Sequence, residues 1–142
     1  MKITLDASMT LAWHLKRVDQ KEAALASLAF DSVRAHGATV PALWYPEVAN
    51  GLLVAERRRI RTVQETTTFE SDIALLEITM DSASPGAIQP WVLSLGRSSQ
   101  LTAYDATYLQ LALRTASTLA TFDQRLAEAA RSAGVPVFGD IP

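Results

Sequence analysis

Short β-rich segments alternate with longer helical segments along the chain, and this alternation limits the possible folds more than any other feature. Strands are predicted over residues 2–5, 39–41, 78–80, 117–121 and 135–138. Helices are predicted between them, over about 7–15, 19–35, 46–60, 62–76, 88–95, 102–115 and 123–132, with a polar turn at 96–100. Such alternation is typical of a parallel sheet with helices on both faces. With no repeat or linker visible, we expect one α/β domain over residues 1–142.

Four acidic residues lie where a predicted strand gives way to a helix, or in the first turn of a helix. They are Asp6, Glu47, Asp105 and Asp123. Because right-handed crossovers place all strand carboxyl ends on one edge of a parallel sheet, we expect these side chains to meet in one pocket. A set of carboxylates without His or Cys suits Mg²⁺ or Mn²⁺. The pattern therefore favours metal-dependent phosphodiester chemistry.

Each acid also has a simpler explanation at the start of a helix. Asp6 and Asp123 are good N-cap residues, and Glu47 would interact favourably with the helix dipole. Asp105 follows Thr102 at the spacing of a capping box. Converging carboxylates, however, repel one another and cost stability unless a cation neutralises them. Since Ser, Thr or Asn would cap a helix without that cost, the four acids together favour a metal site.

Short polar and basic residues accompany these acids. Small polar side chains that would orient a carboxylate or a water are Ser8, Asn50 and Thr121. With a net charge of −2, the chain would hold a nucleic acid only through a local patch. The candidate patch is Arg57, Arg58, Arg59 and Arg61, although cations at a helix end are also favoured by the helix dipole. Asp81 and Asp140 also lie near strand ends, and we expect them outside the site.

Other chemistries have little support in the sequence. The chain has no Cys, which excludes disulfides and a thiol nucleophile, and no phosphate-binding glycine motif or G-x-S-x-G. His14 and His36 are expected at the surface or at helix ends. The Trp and Tyr side chains are expected in the core or an interface rather than stacked on bases. No signal peptide or membrane-spanning stretch is visible.

Five segments carry a resemblance to a known family. They are DAS at 6–8, PEVAN at 46–50, LTAYDATYLQLAL at 101–113, LATFDQRL at 119–126 and GVPVF at 134–138. In this order the chain resembles the PIN domain family, and within it the VapC-type toxins. The resemblance implies a three-layer α/β/α sandwich with a five-stranded parallel sheet. It also implies one or two Mg²⁺ or Mn²⁺ ions held by the family's acids, which correspond to Asp6, Glu47, Asp105 and Asp123.

The same resemblance implies a biological setting. It predicts a cytoplasmic, prokaryotic homodimer that cleaves RNA, such as transfer or ribosomal RNA, and is inhibited by a small antitoxin protein. The polar segment RTASTL at 114–119 departs from the apolar run usual in the family. Two alternatives remain open: a PIN-like domain that binds RNA or a protein without cleaving, and another Mg²⁺-dependent phosphoryl hydrolase. Against the latter, one phosphatase class requires a second Asp two residues after the first, where this chain has Ser8.

Overall fold

Four short parallel strands form the sheet of the computed structural model, which describes residues 1–140. They are β1 (Ile3–Leu5), β2 (Ala38–Val40), β3 (Ile78–Met80) and β4 (Thr118–Ala120). Their order across the sheet is β3-β2-β1-β4, and each neighbouring pair is parallel. The predicted parallel α/β fold is confirmed.

Within residues 1–140, seven helices connect and follow these strands. They are α1 (Ala7–Ala12), α2 (Gln20–His36), α3 (Trp44–Arg57), α4 (Val63–Ile73), α5 (Pro85–Ser99), α6 (Ala103–Thr115) and α7 (Gln124–Ser132). Helix α1 packs against α2 and α3, whereas α6 packs against α5 and α7. Right-handed crossovers place the first group on one face of the sheet and the second on the other.

The fifth predicted strand is reduced to a single pairing. Val137 forms one parallel bridge with Leu119 of β4. The N–H of Leu119 donates to the Pro136 carbonyl (2.8 Å), and the N–H of Phe138 donates to the Leu119 carbonyl (2.8 Å). Pro136 has no N–H to donate, so a longer ladder would lose a hydrogen bond at that residue. The sheet therefore has four strands rather than the expected five.

Several helix boundaries differ from those predicted. Helix α5 runs over Pro85–Ser99 without the predicted polar turn and stops where Gln100 adopts a left-handed conformation (φ 53°). Helix α3 begins at Trp44, before the predicted Pro46, and ends at Arg57. Helix α1 ends at Ala12 rather than near residue 15. The α5 difference arises because small polar residues are tolerated on the exposed face of a helix, so polarity alone does not end one.

The carboxyl ends of the four parallel strands share one edge of the sheet. Leu5 in β1, Leu119 in β4 and Tyr108 in α6 are fully buried. The N–H of Asp6 donates to the Ala120 carbonyl (3.0 Å), which ties together the carboxyl ends of β1 and β4. Because the chain leaves β1 toward β2 on one side and β4 lies on the other, this point is where ligands bind in open α/β sheets.

Within residues 1–140, no helix is both long and apolar enough to cross a membrane.

Candidate active site

Asp6 directly follows β1 and occupies the N-cap position of α1, yet its side chain does not cap the helix. Its Oδ2 instead accepts hydrogen bonds from the hydroxyls of Ser8 (2.5 Å) and Thr121 (2.6 Å). Asp6 is only 5% exposed. Burial raises the pKa of this carboxyl, the two hydroxyl bonds lower it, and the charge of nearby Asp123 raises it. The site is thus built around a buried carboxylate that two hydroxyls orient.

The two hydroxyls link the ends of β1 and β4 through the main chain. The N–H of Phe122 donates to Ser8 Oγ, and the N–H of Asp123 donates to Thr121 Oγ1, both at 2.9 Å. Each hydroxyl has one proton, and the geometry directs both protons to Asp6. Ser8 Oγ and Thr121 Oγ1 lie 3.2 Å apart, but each donates its only proton to Asp6. The two hydroxyls are therefore in contact without a hydrogen bond between them. This network fixes both strand ends relative to the Asp6 carboxylate.

Glu47 lies near the start of α3 and is held by a residue from the opposite group of helices. Its Oε1 accepts a hydrogen bond from the hydroxyl of Tyr108 in α6 at 2.6 Å. Burial raises the pKa of Glu47, the Tyr108 bond lowers it, and the charge of Asp6 raises it. Burial and the charges of Asp6 and Glu47 raise the pKa of Tyr108 well above its usual value, so this hydroxyl keeps its proton and donates.

Tyr108 is the site residue that sequence reasoning missed. It was expected in the core, and it is fully buried, but its hydroxyl also fixes Glu47. The available signal was its position three residues after Asp105, which places both side chains on one face of α6.

Asp105 lies in the first turn of α6, where its N–H donates to Thr102 Oγ1 (3.2 Å). The pKa of its half-buried carboxyl is raised to about 6. Burial is the largest cause, followed by the charges of Asp123, Asp6 and Glu47, in that order. The charges of the other three acids therefore all act on Asp105, and the fold brings the four residues into the same part of the molecule.

Asp123 both belongs to this group and caps α7. Its Oδ1 accepts a hydrogen bond from the N–H of Leu126 at 2.9 Å. The capping explanation thus describes Asp123 correctly but fails for Asp6. A capping carboxylate has a second oxygen, so the cap does not prevent Asp123 from contacting a ligand.

The chemistry of the four carboxylates fits a hard divalent cation. All donors are oxygens. Burial and, after it, the charges of neighbouring carboxylates raise the pKa values of Asp6, Glu47 and Asp105, and a bound cation would offset this cost. Among residues 1–140, no three Asp, Glu, His or Cys side chains stand as a ready-made metal site. Coordination by more than two of them would therefore require carboxylates to turn toward the ion.

The arginines predicted to contact RNA lie at the far end of α3. Arg57 is its last residue, ten positions after Glu47, which corresponds to about 15 Å along the helix axis. Arg58 and Arg59 follow it and are exposed. The guanidinium of Arg61 donates two hydrogen bonds to the main-chain carbonyl of His14 (3.2 and 2.9 Å), so it also joins the ends of α1 and α3.

Three other polar residues lie apart from the carboxylates or are paired elsewhere. Asn50 is exposed one helical turn after Glu47 and makes no side-chain hydrogen bond with other described residues. Asp81 pairs with Arg114, and Asp140 pairs with Arg131 through two hydrogen bonds (2.8 and 2.9 Å).

The expectation for His14 was partly wrong. It does follow α1, but it is buried and its ring stacks on Phe69 with a centroid distance of 4.5 Å. Burial and the charge of Arg61 lower the pKa of His14. His36 is exposed at the end of α2, as expected. Tyr104 is also exposed rather than in the core.

Comparisons with known proteins agree with this architecture. The family model of the PIN domain matches residues 3–132. No curated protein matches the sequence significantly.

Solved structures share the fold at low sequence identity. The crystal structure of PAE2754 from Pyrobaculum aerophilum has a TM-score of 0.63 and 21% identity, covering 91% of this chain and 87% of that one. FitAcB from Neisseria gonorrhoeae has a TM-score of 0.63 and 20% identity, covering 98% and 97%. FitAB bound to an IR36 DNA fragment has a TM-score of 0.57 and 18% identity, covering 97% and 94%. At these identities the likeness supports the fold alone.

Proposed function

Because the chain belongs to the PIN domain family, whose members are generally nucleases, we propose that it is an endoribonuclease that depends on Mg²⁺ or Mn²⁺. The observation that carries the proposal is the buried Asp6 carboxylate, which two hydroxyls fix and which interacts electrostatically with Glu47, Asp105 and Asp123. Such a concentration of negative charge at a ligand-binding sheet edge is unfavourable unless a cation compensates for it.

The four acids have different roles in this proposal. Asp6, Asp105 and Asp123 hold one or two ions, and Glu47 completes the site. A bound divalent ion supplies positive charge for the phosphate and makes a water molecule more acidic. The Tyr108 hydroxyl holds one oxygen of Glu47 and leaves the other to orient the attacking water. Because water rather than the ribose 2′-hydroxyl attacks, the products carry 5′-phosphate and 3′-hydroxyl ends.

The biological role we propose is that of a VapC-type toxin acting as a single domain over residues 1–142. The support is the order of the five motifs between residues 6 and 138. In this role a homodimer cleaves transfer or ribosomal RNA in a prokaryotic cytoplasm, and a small antitoxin protein inhibits it. Expression of the chain should arrest growth, and co-expression of a small adjacent open reading frame should restore it.

The direct test is cleavage of total RNA by the purified protein with Mg²⁺, with Mn²⁺ and with chelator, beside an Asp6→Asn variant. Asn keeps an oxygen that can accept the Ser8 and Thr121 hydrogen bonds, so the variant should fold while lacking the charge. We expect discrete products that need metal, disappear in the variant and carry 5′-phosphate ends. Ends with 2′,3′-cyclic phosphate would contradict water as the nucleophile.

The alternative is a protein that binds RNA without cleaving it, and an RNA-binding assay run beside the cleavage assay distinguishes the two. Folded protein that shifts RNA in a binding assay but leaves it intact in both metals would support that role. An Asp6→Asn variant that binds RNA but no longer cuts it would support catalysis instead.

A further inference from the structure

Arg17 lies against Phe122, the residue between Thr121 and Asp123, although neither its position in the sequence nor a motif indicates this. Its guanidinium carbon is 4.2 Å from the centre of the Phe122 ring. Phe122 stands between Thr121 and Asp123, and its N–H donates to Ser8 Oγ. Arg17 is therefore seated on a residue whose backbone belongs to the network that orients Asp6.

The ion pair made by Arg17 leaves much of its guanidinium available. Arg17 approaches Glu22 at 3.5 Å without forming a hydrogen bond, and its side chain is 37% exposed. By contrast, the guanidinium of Arg131 makes two hydrogen bonds with Asp140 at 2.8 and 2.9 Å. A guanidinium has five N–H donors, so one loose pair leaves several for another anion.

The neighbouring site creates a need for such a cation. None of the ion pairs among residues 1–140 includes Asp6, Glu47, Asp105 or Asp123. Four ionised carboxylates with one bound divalent ion would still leave a net negative charge, so an approaching RNA strand would be repelled unless positive charge lies along its path. The cluster at Arg57 is about 15 Å from Glu47 along α3, which is too far to offset charge at the cleaved bond itself.

We propose that Arg17, held on the Phe122 ring, binds a backbone phosphate of the RNA next to the one that is cleaved. The proposal rests on the endoribonuclease function and adds a positioning residue to it. Glu22 then competes with the RNA for Arg17, so the Arg17–Glu22 pair opens when the substrate binds. A purely structural arginine would instead be indifferent to RNA and to the salt concentration of a binding assay.

The test compares Arg17→Ala with Arg34→Ala, using an RNA that the wild-type protein cuts. Arg34 is a matched control because it also makes a 3.5 Å ion pair on the surface, with Asp31 in α2. For Arg17→Ala we expect kcat/KM to fall roughly tenfold at low salt, mainly through KM, as for one lost charge-assisted contact. The slope of log(kcat/KM) against log[K⁺], at fixed Mg²⁺, should become shallower by about 0.7, the value for one phosphate on a single strand.

Glu22→Gln should change the affinity for RNA in the opposite direction to Arg17→Ala. Removing the competing carboxylate should tighten RNA binding, measured by fluorescence anisotropy, and this gain should vanish in the Arg17→Ala background. Arg17→Lys should recover part of the lost affinity, because Lys keeps the positive charge but cannot donate two parallel hydrogen bonds to a phosphate as a guanidinium does. Melting temperatures equal to that of the wild type would show that the variants are folded.

The outcomes separate this inference from the function on which it rests. Suppose that the wild-type protein cuts RNA and that Arg17→Ala and Arg34→Ala have the same KM and the same salt dependence of kcat/KM. The proposed role of Arg17 is then wrong, and the nuclease proposal is unaffected. If the wild-type protein binds RNA without cutting it, the nuclease proposal fails and the anisotropy comparison still decides Arg17. Wild-type protein that neither binds nor cuts RNA overturns both.

Discussion

The junction between β1 and α1 and the junction between β4 and α7 are adjacent in the sheet and look alike in sequence. Each places an Asp with extended backbone at the N-cap, with φ −82° and ψ 148° at Asp6 and φ −75° and ψ 116° at Asp123. Asp123 accepts a hydrogen bond from the third N–H of its helix, whereas Asp6 accepts from two hydroxyls and leaves its helix uncapped. The same residue type at the same position thus serves two purposes.

The difference arises from which acceptor the main-chain N–H groups find in the first turn of each helix. In α1 the N–H of Met9, the group that a cap would bind, donates to the main-chain carbonyl of Asp6 at 3.1 Å. The Asp6 carboxylate is therefore free to face the hydroxyls of Ser8 and Thr121. In α7 the equivalent N–H of Leu126 depends on the Asp123 side chain. A carboxylate released from capping and buried without a cation indicates a site rather than a structural role.

The largest expected effect is the loss of RNA cleavage when the negative charge of Asp6 or of Asp123 is removed. We expect Asp6→Asn and Asp123→Asn each to lower kcat/KM by about 10³-fold or more, which corresponds to roughly 4 kcal/mol of transition-state stabilisation. The reason is that, under the proposed function, the Asp6 and Asp123 carboxylates both contribute to one metal site, even though Asp123 also caps α7. Single-turnover cleavage of a defined RNA measures this. An Asp123→Asn variant that cleaves normally would restrict Asp123 to its capping role.

The next effect concerns the hydroxyls that hold Asp6. Ser8→Ala and Thr121→Val each remove a donor to the carboxylate and leave a main-chain N–H without its acceptor. We expect each to lower activity by about 10- to 100-fold, as for other groups that orient metal ligands. We also expect each to lower the free energy of unfolding by about 1–3 kcal/mol.

A double-mutant cycle checks whether the two hydroxyls act together. Because both bind the same oxygen of Asp6, the combined loss in Ser8→Ala/Thr121→Val should be smaller than the sum of the single losses. Fully additive losses would show that the hydroxyls act independently.

The sequence predicted the architecture better than it predicted contacts within the site. The alternation of segments placed β1, β2, β3 and β4 correctly, because short buried runs between helices have few other arrangements. The extent of α5 and the loss of the fifth strand depended on where tertiary packing lets an element end, which local pattern does not determine.

Within the site, sequence reasoning named the acids and also Ser8 and Thr121, both of which bind the Asp6 carboxylate, but it missed other contacts. Four acids at one sheet edge followed from topology alone. That Asp6 would be uncapped, that Tyr108 would reach Glu47, and that Arg17 would lie on Phe122 all depend on side-chain contacts between residues far apart in the chain. Such contacts have no periodic signal in a single sequence.

A smaller effect is expected at Glu47, through the tyrosine that donates a hydrogen bond to it. Tyr108→Phe removes the hydrogen bond to Glu47 and little volume. We expect a loss of activity of about tenfold or less. Since this bond lowers the pKa of Glu47, its loss should raise that pKa and move the acidic limb of the pH–rate profile to higher pH. A profile that falls uniformly without shifting would show that Glu47 does not titrate in the reaction.

The burial of Asp105 and the repulsion from the other carboxylates should also affect the stability of the protein without metal. The pKa of Asp105 is raised from 3.8 to about 6 in the folded chain, so the folded state binds more protons than the unfolded state between these values. In chelator, its stabilising contribution is full below about pH 4 and is lost as the pH rises through 6. Mg²⁺ should therefore raise the melting temperature more at pH 7.5 than at pH 5. Asp105→Asn should weaken this pH dependence.

The smallest effect tests the capping difference between the two junctions directly. In chelator, Asp123→Ala should lower the free energy of unfolding by about 1 kcal/mol relative to Asp123→Asn, because Asn caps as well as Asp and Ala does not. Asp19→Ala is a matched control, since Asp19 caps α2 by accepting from the N–H of Glu22 at 3.0 Å and lies in an exposed turn. Denaturant unfolding of these variants measures the difference. If Asp123→Ala and Asp123→Asn unfold alike while Asp19→Ala is destabilised, the Asp123–Leu126 bond does not stabilise α7. Both Asp residues at the sheet edge would then be retained for the site alone.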